Sequence, residues 1–460
     1  MKKCIYLGMA CLSIVIACQK NNVVTLSGNV SGKADQPVLI TDYKISDYSD
    51  TVKVDNGKFR QTLIVDKPVF KSLRYGKFNK ELFLAPGYKL LVNFNAEKFD
   101  STFRFEGKGA VENSLLDSLN KNDRYNWRYI YSQPAETSAK IVDSTLIIQK
   151  SRFDKLVKSM NPDAAFVEYA GKMLDFEAAM IKSIVGLQKN VKDSTYYSFL
   201  DSINLEEGKY LDIMPYRNLL LYSISIKTDR VLDKMDSVSR NSKEASRNAM
   251  LSVLDKIKDK DVREYMTFTM IHNDLRYSGV SNFEKSKAYF EKHVTDSAYI
   301  REFQKTYALK LLLSPGKPAP DFTCADADSN FVSLKDLKGK LVYIDFWATW
   351  CGPCQQEAPH YQKLQKEYKG KEITFVSISI DEDKGSWLKF LEKEKPECVS
   401  LIANNGWNAD VAKAYQVQGI PTFVLIDKDG KIITCSAPRP SSPDIRKTLD
   451  EHLGLVAMKK

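Results

Sequence analysis

The segment Tyr343-Ile344-Asp345-Phe346-Trp347-Ala348-Thr349-Trp350-Cys351-Gly352-Pro353-Cys354 constrains this chain most. Two cysteines separated by two residues directly follow an apolar run of strand character and open a helical stretch at Gln355–Tyr368. The first thiol falls at the helix N-terminus, where the partial positive charge and free N–H groups stabilise a thiolate. The second lies one turn further in, close enough to attack a sulfur bound to the first. Gly352-Pro353 permits the tight turn and starts the helix. A dithiol placed in this way points to thiol–disulfide exchange.

The surroundings of the dithiol read as one domain. Ser314-Pro315-Gly316-Lys317-Pro318-Ala319-Pro320 cannot continue a helix and is read as a linker over 314–320. Beyond it, apolar runs at Leu341–Phe346, Ile373–Ile380 and Thr422–Ile426 read as buried strands. They alternate with helix-like stretches at Gln355–Tyr368, Ser386–Lys393, Ala409–Tyr415 and Asp444–Leu453, which predicts an α/β domain over 321–460. Asp429-Gly430 joins the last two strands as a tight hairpin.

The strand–Cys-Gly-Pro-Cys–helix segment resembles the active site of the thioredoxin superfamily. Ala319-Pro320-Asp321-Phe322, the Trp350 flank, and Glu357 three residues after Cys354 are similar to the TlpA/ResA-like branch of membrane-tethered thiol-disulfide oxidoreductases, with an AhpC/TSA-redoxin-type C-terminal domain. The likeness runs from Pro318 to Leu455. It implies a thioredoxin-like fold in which Cys351 attacks substrate disulfides and Cys354 resolves the mixed disulfide, with no cofactor beyond the Cys351–Cys354 pair. Asp345, six residues before Cys351, matches the buried acid of thioredoxins proper, so this chain carries both acids. Either Asp345 or Glu357 takes the proton of Cys354, and one of the two carboxylates is held protonated. Gly419-Ile420-Pro421-Thr422 resembles the family's cis-proline loop, which implies that Pro421 is cis and that Ile420 and Trp350 meet the substrate.

The N-terminus is read as a processing signal. Lys2 and Lys3 precede an apolar stretch, Ile5 to Ala17, that is short for a membrane span and ends in Val15-Ile16-Ala17-Cys18. This resembles the lipobox of bacterial lipoproteins and implies cleavage before Cys18, lipidation of that cysteine and a lipid-anchored protein of the cell envelope facing the periplasm. Val15 stands where that family more often has Leu. Of the eight cysteines, Cys4 and Cys11 leave with residues 1–17 and Cys18 carries lipid. The five others, Cys324, Cys351, Cys354, Cys398 and Cys435, all lie in the last third, which argues for a local catalytic use of cysteine. Cys324, Cys398 and Cys435 are read as buried thiols, with a structural disulfide between two of them as the alternative.

After a lipidated tether at 18–22, residues 23–109 show short apolar runs broken by turn signals. Asp55-Asn56-Gly57-Lys58 reads as a hairpin turn, and Leu82–Val92 as two strands around Pro86-Gly87. An antiparallel β-sandwich is expected, resembling an uncharacterised β-domain found between lipobox and thioredoxin-like domain in Bacteroidetes-type envelope proteins. From 110 to 313 only four Gly and three Pro occur and the apolar period becomes helical. Phe166, Tyr169, Ala170, Met173, Met180, Ile181 and Ile184 fall on one face, read as core. The chain is thus expected to be multidomain: β-sandwich, α-helical middle region and α/β thioredoxin-like domain.

Other chemistries fit less well. Lys+Arg 68 against Asp+Glu 58 gives +10, but the excess is spread along the chain, which argues against nucleic-acid binding. A peroxiredoxin-type site resembles Pro-x-x-x-Thr-x-x-Cys, and Ile344 and Ala348 stand where its Pro and Thr would be, so the polar pocket for peroxide is missing. A zinc site needs more than His360 with this cysteine pair, and a c-type haem needs His where Gln355 stands. The expected partners are disulfide-containing envelope proteins and a membrane thiol carrier that re-reduces the dithiol. Gly-Pro between the cysteines and Ile before Pro421 resemble reducing members of the superfamily. The alternatives are a dithiol oxidant, a cytochrome c maturation reductase, or a partner-binding lipoprotein with a secondary redox domain.

Overall fold

A computed structural model describes residues 22–33, 36–42, 49–120, 125–236, 240 and 242–455 of the 460-residue chain. Cys18 and the leader lie outside the described residues. The chain divides into two compact units on either side of Met266 and Thr267.

The first unit opens with eight strands: β1 Val23–Ser31, β2 Val38–Asp42, β3 Ser49–Val52, β4 Lys58–Ile64, β5 Val69–Tyr75, β6 Phe78–Leu84, β7 Lys89–Asn95 and β8 Arg104–Lys108. They form two four-stranded sheets, ordered β4-β1-β7-β8 and β3-β2-β5-β6. Alternation along β1 turns Val24, Leu26 and Val30 inward, as a one-sided strand requires. The pairing is antiparallel except for β1 with β7, which run parallel in register Thr25 to Lys89.

Both turns read from the sequence are present, but neither closes a hairpin. Asp55 and Lys58 exchange backbone bonds of 2.8 and 2.9 Å, with Asn56 and Gly57 at φ 50° and 71°. Yet β3 pairs with β2 while β4 pairs with β1, so the turn carries the chain from one sheet to the other. Pro86-Gly87 does the same between β6 and β7. A turn dipeptide fixes a chain reversal locally; which sheet receives the next strand is decided by where its apolar face is buried.

Helices follow at Ala110–Asn120, Ala135–Met160, Ala164–Gln188, Met214–Leu232 and Lys243–Leu254. The Ala164–Gln188 helix packs between its neighbours in sequence and buries Phe166, Tyr169, Ala170, Met173, Met180 and Ile181, with Ile184 half-buried. Phe166 meets Phe83 of β6 edge-on at 5.2 Å, and Phe176, Tyr210 and Tyr216 continue the aromatic packing. These rings are core.

The second unit takes in the rest of the Lys260–Ser278 helix, the helices Glu284–His293 and Ser297–Leu312, and a seven-stranded sheet. Its strands are β9 Thr323–Ala325, β10 Phe331–Ser333, β11 Leu341–Trp347, β12 Ile373–Ser379, β13 Val399–Ile402, β14 Thr422–Ile426 and β15 Ile432–Thr434. The order is β10-β9-β13-β12-β11-β14-β15, with β11, β12 and β13 parallel and β14 antiparallel to β11. Helices Gly352–Glu367, Lys384–Glu394, Asp410–Ala414 and Asp444–His452 complete the thioredoxin-like α/β domain.

Covered on both faces, β11 reads as a continuous apolar run. Val342, Ile344 and Phe346 join a core with Ile378 and Trp387. Leu341 and Tyr343 join the other with Tyr361, Phe375, Leu425 and Leu449. The Pro-rich segment 314–320 ends the preceding helix and is then tied to the β14–β15 hairpin: Gly316 N–H donates to Ile432 O at 2.7 Å and Ala319 N–H to Gly430 O at 2.9 Å. The helices before it reach the loop that leads into β14. Arg276 Nη2 donates to Gln418 Oε1 at 2.8 Å, and Gln416 Nε2 to Leu309 O at 2.7 Å. Among the described residues no helix is long and apolar enough to cross a membrane.

Candidate active site

The end of β11 and the start of the next helix place Cys351 at the helix N-cap, with extended backbone. Cys351 and Cys354 are joined by a disulfide with S–S 2.01 Å, and each is 5 % exposed. The Cys354 N–H donates to Cys351 Sγ at 3.1 Å, so the sulfur at the helix end meets a free backbone donor. Ile420–Pro421 is a cis bond, and the Ile420 carbonyl oxygen lies 3.7 Å from Cys351 Sγ. Trp350 stands beside the pair and is 59 % exposed. Cys351, Cys354, Trp350, Ile420 and Pro421 thus meet at one place although the chain separates them by up to 71 residues.

The loop before Cys351 is pinned by a residue that sequence reasoning missed. Asp381, buried just past β12, accepts from Thr349 N–H at 2.9 Å, Thr349 Oγ1 at 2.7 Å and Ser379 Oγ at 2.6 Å. Gln355 Nε2 closes the loop from the other side on Thr349 O at 2.6 Å. The available signal was an acid directly after the apolar run ending at Ile380, at the carboxyl end of a parallel strand, where sites gather in open α/β sheets.

Behind the disulfide the two acids have different surroundings. Glu357, one helical turn after Cys354, is buried and well partnered. Its Oε2 accepts from Ser441 N–H at 3.0 Å, its Oε1 from Ser441 Oγ at 2.8 Å, and exposed Arg439 lies 3.7 Å away. Asp345 on β11 has an Oδ1 shut off from solvent with no hydrogen-bond partner. Burial first, and the charge of Glu357 second, push its carboxyl up to about 8. Asp345 is therefore the acid of the two that burial holds protonated. Ser441 and Arg439 sit in a Pro/Ser-rich loop that gave no signal in the sequence.

Among the described residues, Cys324, Cys398 and Cys435 carry free thiols. Burial pushes Cys324 up to about 11 and Cys435 up to about 12, and raises Cys398 too, so all three are poor nucleophiles. Cys324 lines a cleft of about 410 Å³ with Phe322, Phe331, Ile402, Asn404 and Val411, at the β9–β13 edge. Among the described residues no group of His, Cys, Asp and Glu is arranged to hold a metal ion.

Comparison with known proteins falls on this same part of the chain. The family model described as Redoxin matches residues 314–449. The thiol-disulfide oxidoreductase ResA of Bacillus cereus is 34% identical over 131 residues, 28% of this chain and 74% of the relative. ResA of Bacillus subtilis is 32% identical over 131 residues, 28% of this chain and 72% of the relative. Among solved structures, the thioredoxin domain of a thiol-disulfide oxidoreductase from Bacteroides vulgatus is 32% identical, covering 31% of this chain and 99% of that one, with a TM-score of 0.29.

Proposed function

Since the chain belongs to the TlpA/ResA-like thiol-disulfide oxidoreductases of the thioredoxin superfamily, we propose that it reduces disulfides of envelope proteins through Cys351 and Cys354. The observation that carries this reading is the Cys351–Cys354 disulfide at a helix N-terminus with the Ile420 carbonyl 3.7 Å from Cys351 Sγ. A disulfide-bearing peptide laid along the Ile420 backbone would bring its sulfur to Cys351.

The steps balance as follows. The Cys351 thiolate attacks one sulfur of a substrate disulfide, forms the Cys351–substrate bond and expels the other sulfur as a thiolate, which takes up a proton. Cys354 gives its proton to Asp345 in the minor fraction of molecules whose Asp345 carboxyl is ionised, and its thiolate attacks Cys351. The Cys351–Cys354 bond forms, the mixed disulfide breaks, and the second substrate thiolate leaves. Two electrons pass from the dithiol to the substrate, and the pair ends as the disulfide seen here. A carboxyl at about 8 is close to an ordinary thiol, so proton transfer between them is nearly thermoneutral and runs in both directions. Glu357 holds the helix to Ser441 and keeps the Asp345 proton in place through its charge. A membrane thiol carrier returns two electrons to the pair.

The Val15-Ile16-Ala17-Cys18 sequence supports lipidation at Cys18 and attachment to the envelope, facing the periplasm. In that setting the residues before 321 would present the site or hold a partner.

Trapping tests the reading directly. Reduced Cys354→Ser protein is mixed with envelope proteins, and adducts are resolved on non-reducing gels. Substrate bound covalently to Cys351 supports the proposal. No adduct with Cys354→Ser, or equal adducts with Cys351→Ser, would overturn it.

A further inference from the structure

Trp350, which directly precedes Cys351, meets a second exposed tryptophan that is distant from it in sequence. Trp350 is 59 % exposed, and Trp407, in the Gly406–Asn408 turn, is 42 % exposed. Their rings lie 6.3 Å apart at 52°. Large aromatic side chains in contact with each other and open to water are uncommon away from binding surfaces.

Both rings are displayed by braced turns. Asn405 and Gly406 take left-handed conformations in succession, at φ 82° and 55°. Asn408 N–H returns to Asn405 O at 2.9 Å and Ala409 N–H to Gly406 O at 3.1 Å. A Cβ on Gly406 would meet the Glu382 side chain at 3.0 Å, so this side of the turn rests on Glu382. The preceding residue, Asp381, holds Thr349 next to Trp350. Two consecutive residues past β12 therefore lie against the two tryptophan turns, Asp381 by hydrogen bonds to Thr349 and Glu382 by contact with Gly406.

We propose that Trp350 and Trp407 form an aromatic clamp for a bulky apolar or aromatic side chain flanking the substrate cysteine, with Trp407 as a specificity-determining residue. The inference rests on the reading of Cys351 as the attacking sulfur. Its occupant is an extended segment of a disulfide-bearing polypeptide. The carbonyl of Ile420 next to Cys351 offers backbone pairing that a small disulfide cannot use along its length, and the clamp continues that surface through Trp350. Ring contact of this kind is worth enough to separate substrates by about tenfold.

The test uses the full chain with wild-type Trp407, Trp407→Ala and Trp407→Phe. The substrates are two disulfide-linked peptides that differ only in Phe or Ser beside the cysteine, and glutathione disulfide. The wild type is expected to favour the Phe peptide about tenfold in kcat/KM, through KM. Trp407→Ala should lose that preference, Trp407→Phe should keep most of it, and glutathione disulfide turnover should be the same in all three. A preference that survives Trp407→Ala would overturn the clamp, as would an equal loss on all three substrates. No reduction of any disulfide by the wild type would overturn the reductase reading itself, a result distinguishable from failure of the clamp alone.

Discussion

Asp345 and Glu357 sit close enough to each other for the charge of one to raise the other, yet they divide the hydrogen bonds unequally. Glu357 accepts twice from Ser441, whereas the Asp345 Oδ1 accepts nothing. Two neighbouring carboxylates cannot both ionise cheaply, and the one whose Oδ1 lacks a donor gives way. The division of labour proposed above follows: one acid holds structure and charge, the other stores the proton.

Asp345→Asn gives the first prediction, because a stored proton makes stability depend on pH. In the unfolded chain Asp345 titrates at its ordinary 3.8 and in the folded chain at about 8. Between those values the folded state binds more protons, so this group's contribution is fully present below about 4 and is lost as pH rises toward about 8. Asn removes that dependence. The variant should match wild type near pH 4 and be more stable by several kcal/mol at pH 8, read as thermal midpoint against pH. It should also slow the resolving step by about a hundredfold and flatten its rise with pH. Equal midpoints at both ends of the range would refute the stored proton.

Glu357→Gln separates charge from packing. Removing the negative charge that raises Asp345 should lower the Asp345 titration and move the pH dependence to lower pH. The altered bond to Ser441 should cost about 1 kcal/mol, while the exposed Arg439 contact adds little. A carboxyl titration followed by NMR reads the shift. An unmoved or raised Asp345 would contradict the coupling.

Asp381→Ala should leave three donors, Thr349 N–H, Thr349 Oγ1 and Ser379 Oγ, without their acceptor. The expected loss is about 3 kcal/mol, against about 1 kcal/mol for Thr349→Val, which removes only the hydroxyl contact. Denaturant unfolding at one pH compares the two. Equal costs would mean that Asp381 does not pin the loop.

Cys18→Ser is predicted to abolish incorporation of labelled fatty acid and to move the protein from the membrane fraction to the soluble one. Retention of label in the variant would contradict the lipid anchor.

What was legible in the sequence was what local chemistry writes. The Cys351-Gly-Pro-Cys354 spacing, the apolar run of β11 and the Ile420-Pro421 strand start each carry their signal within a few residues. Asp345 and Glu357 were found by their distance from the cysteines, but which of them keeps the proton depends on Ser441, 84 residues beyond Glu357. The Thr349–Asp381 contact spans 32 residues and joins the ends of two strands, so no local pattern announces it. Trp407 was one aromatic in a polar stretch until the fold set it against Trp350. In the sandwich, Asn56-Gly57 announced a reversal, while the crossing between sheets came from burial on both sides of the turn.

The measurement that tests the central claim most directly is the reduction potential of the Cys351–Cys354 pair, with Cys324, Cys398 and Cys435 replaced by Ser and the protein equilibrated in thiol buffers. With Gly and Pro between the cysteines, no side chain there adds charge or a polar contact to favour the thiolate. A reductase fed by a membrane donor is predicted to lie toward the thioredoxin end, about −270 mV. A value near −120 mV, roughly that of a strong dithiol oxidant, would contradict it.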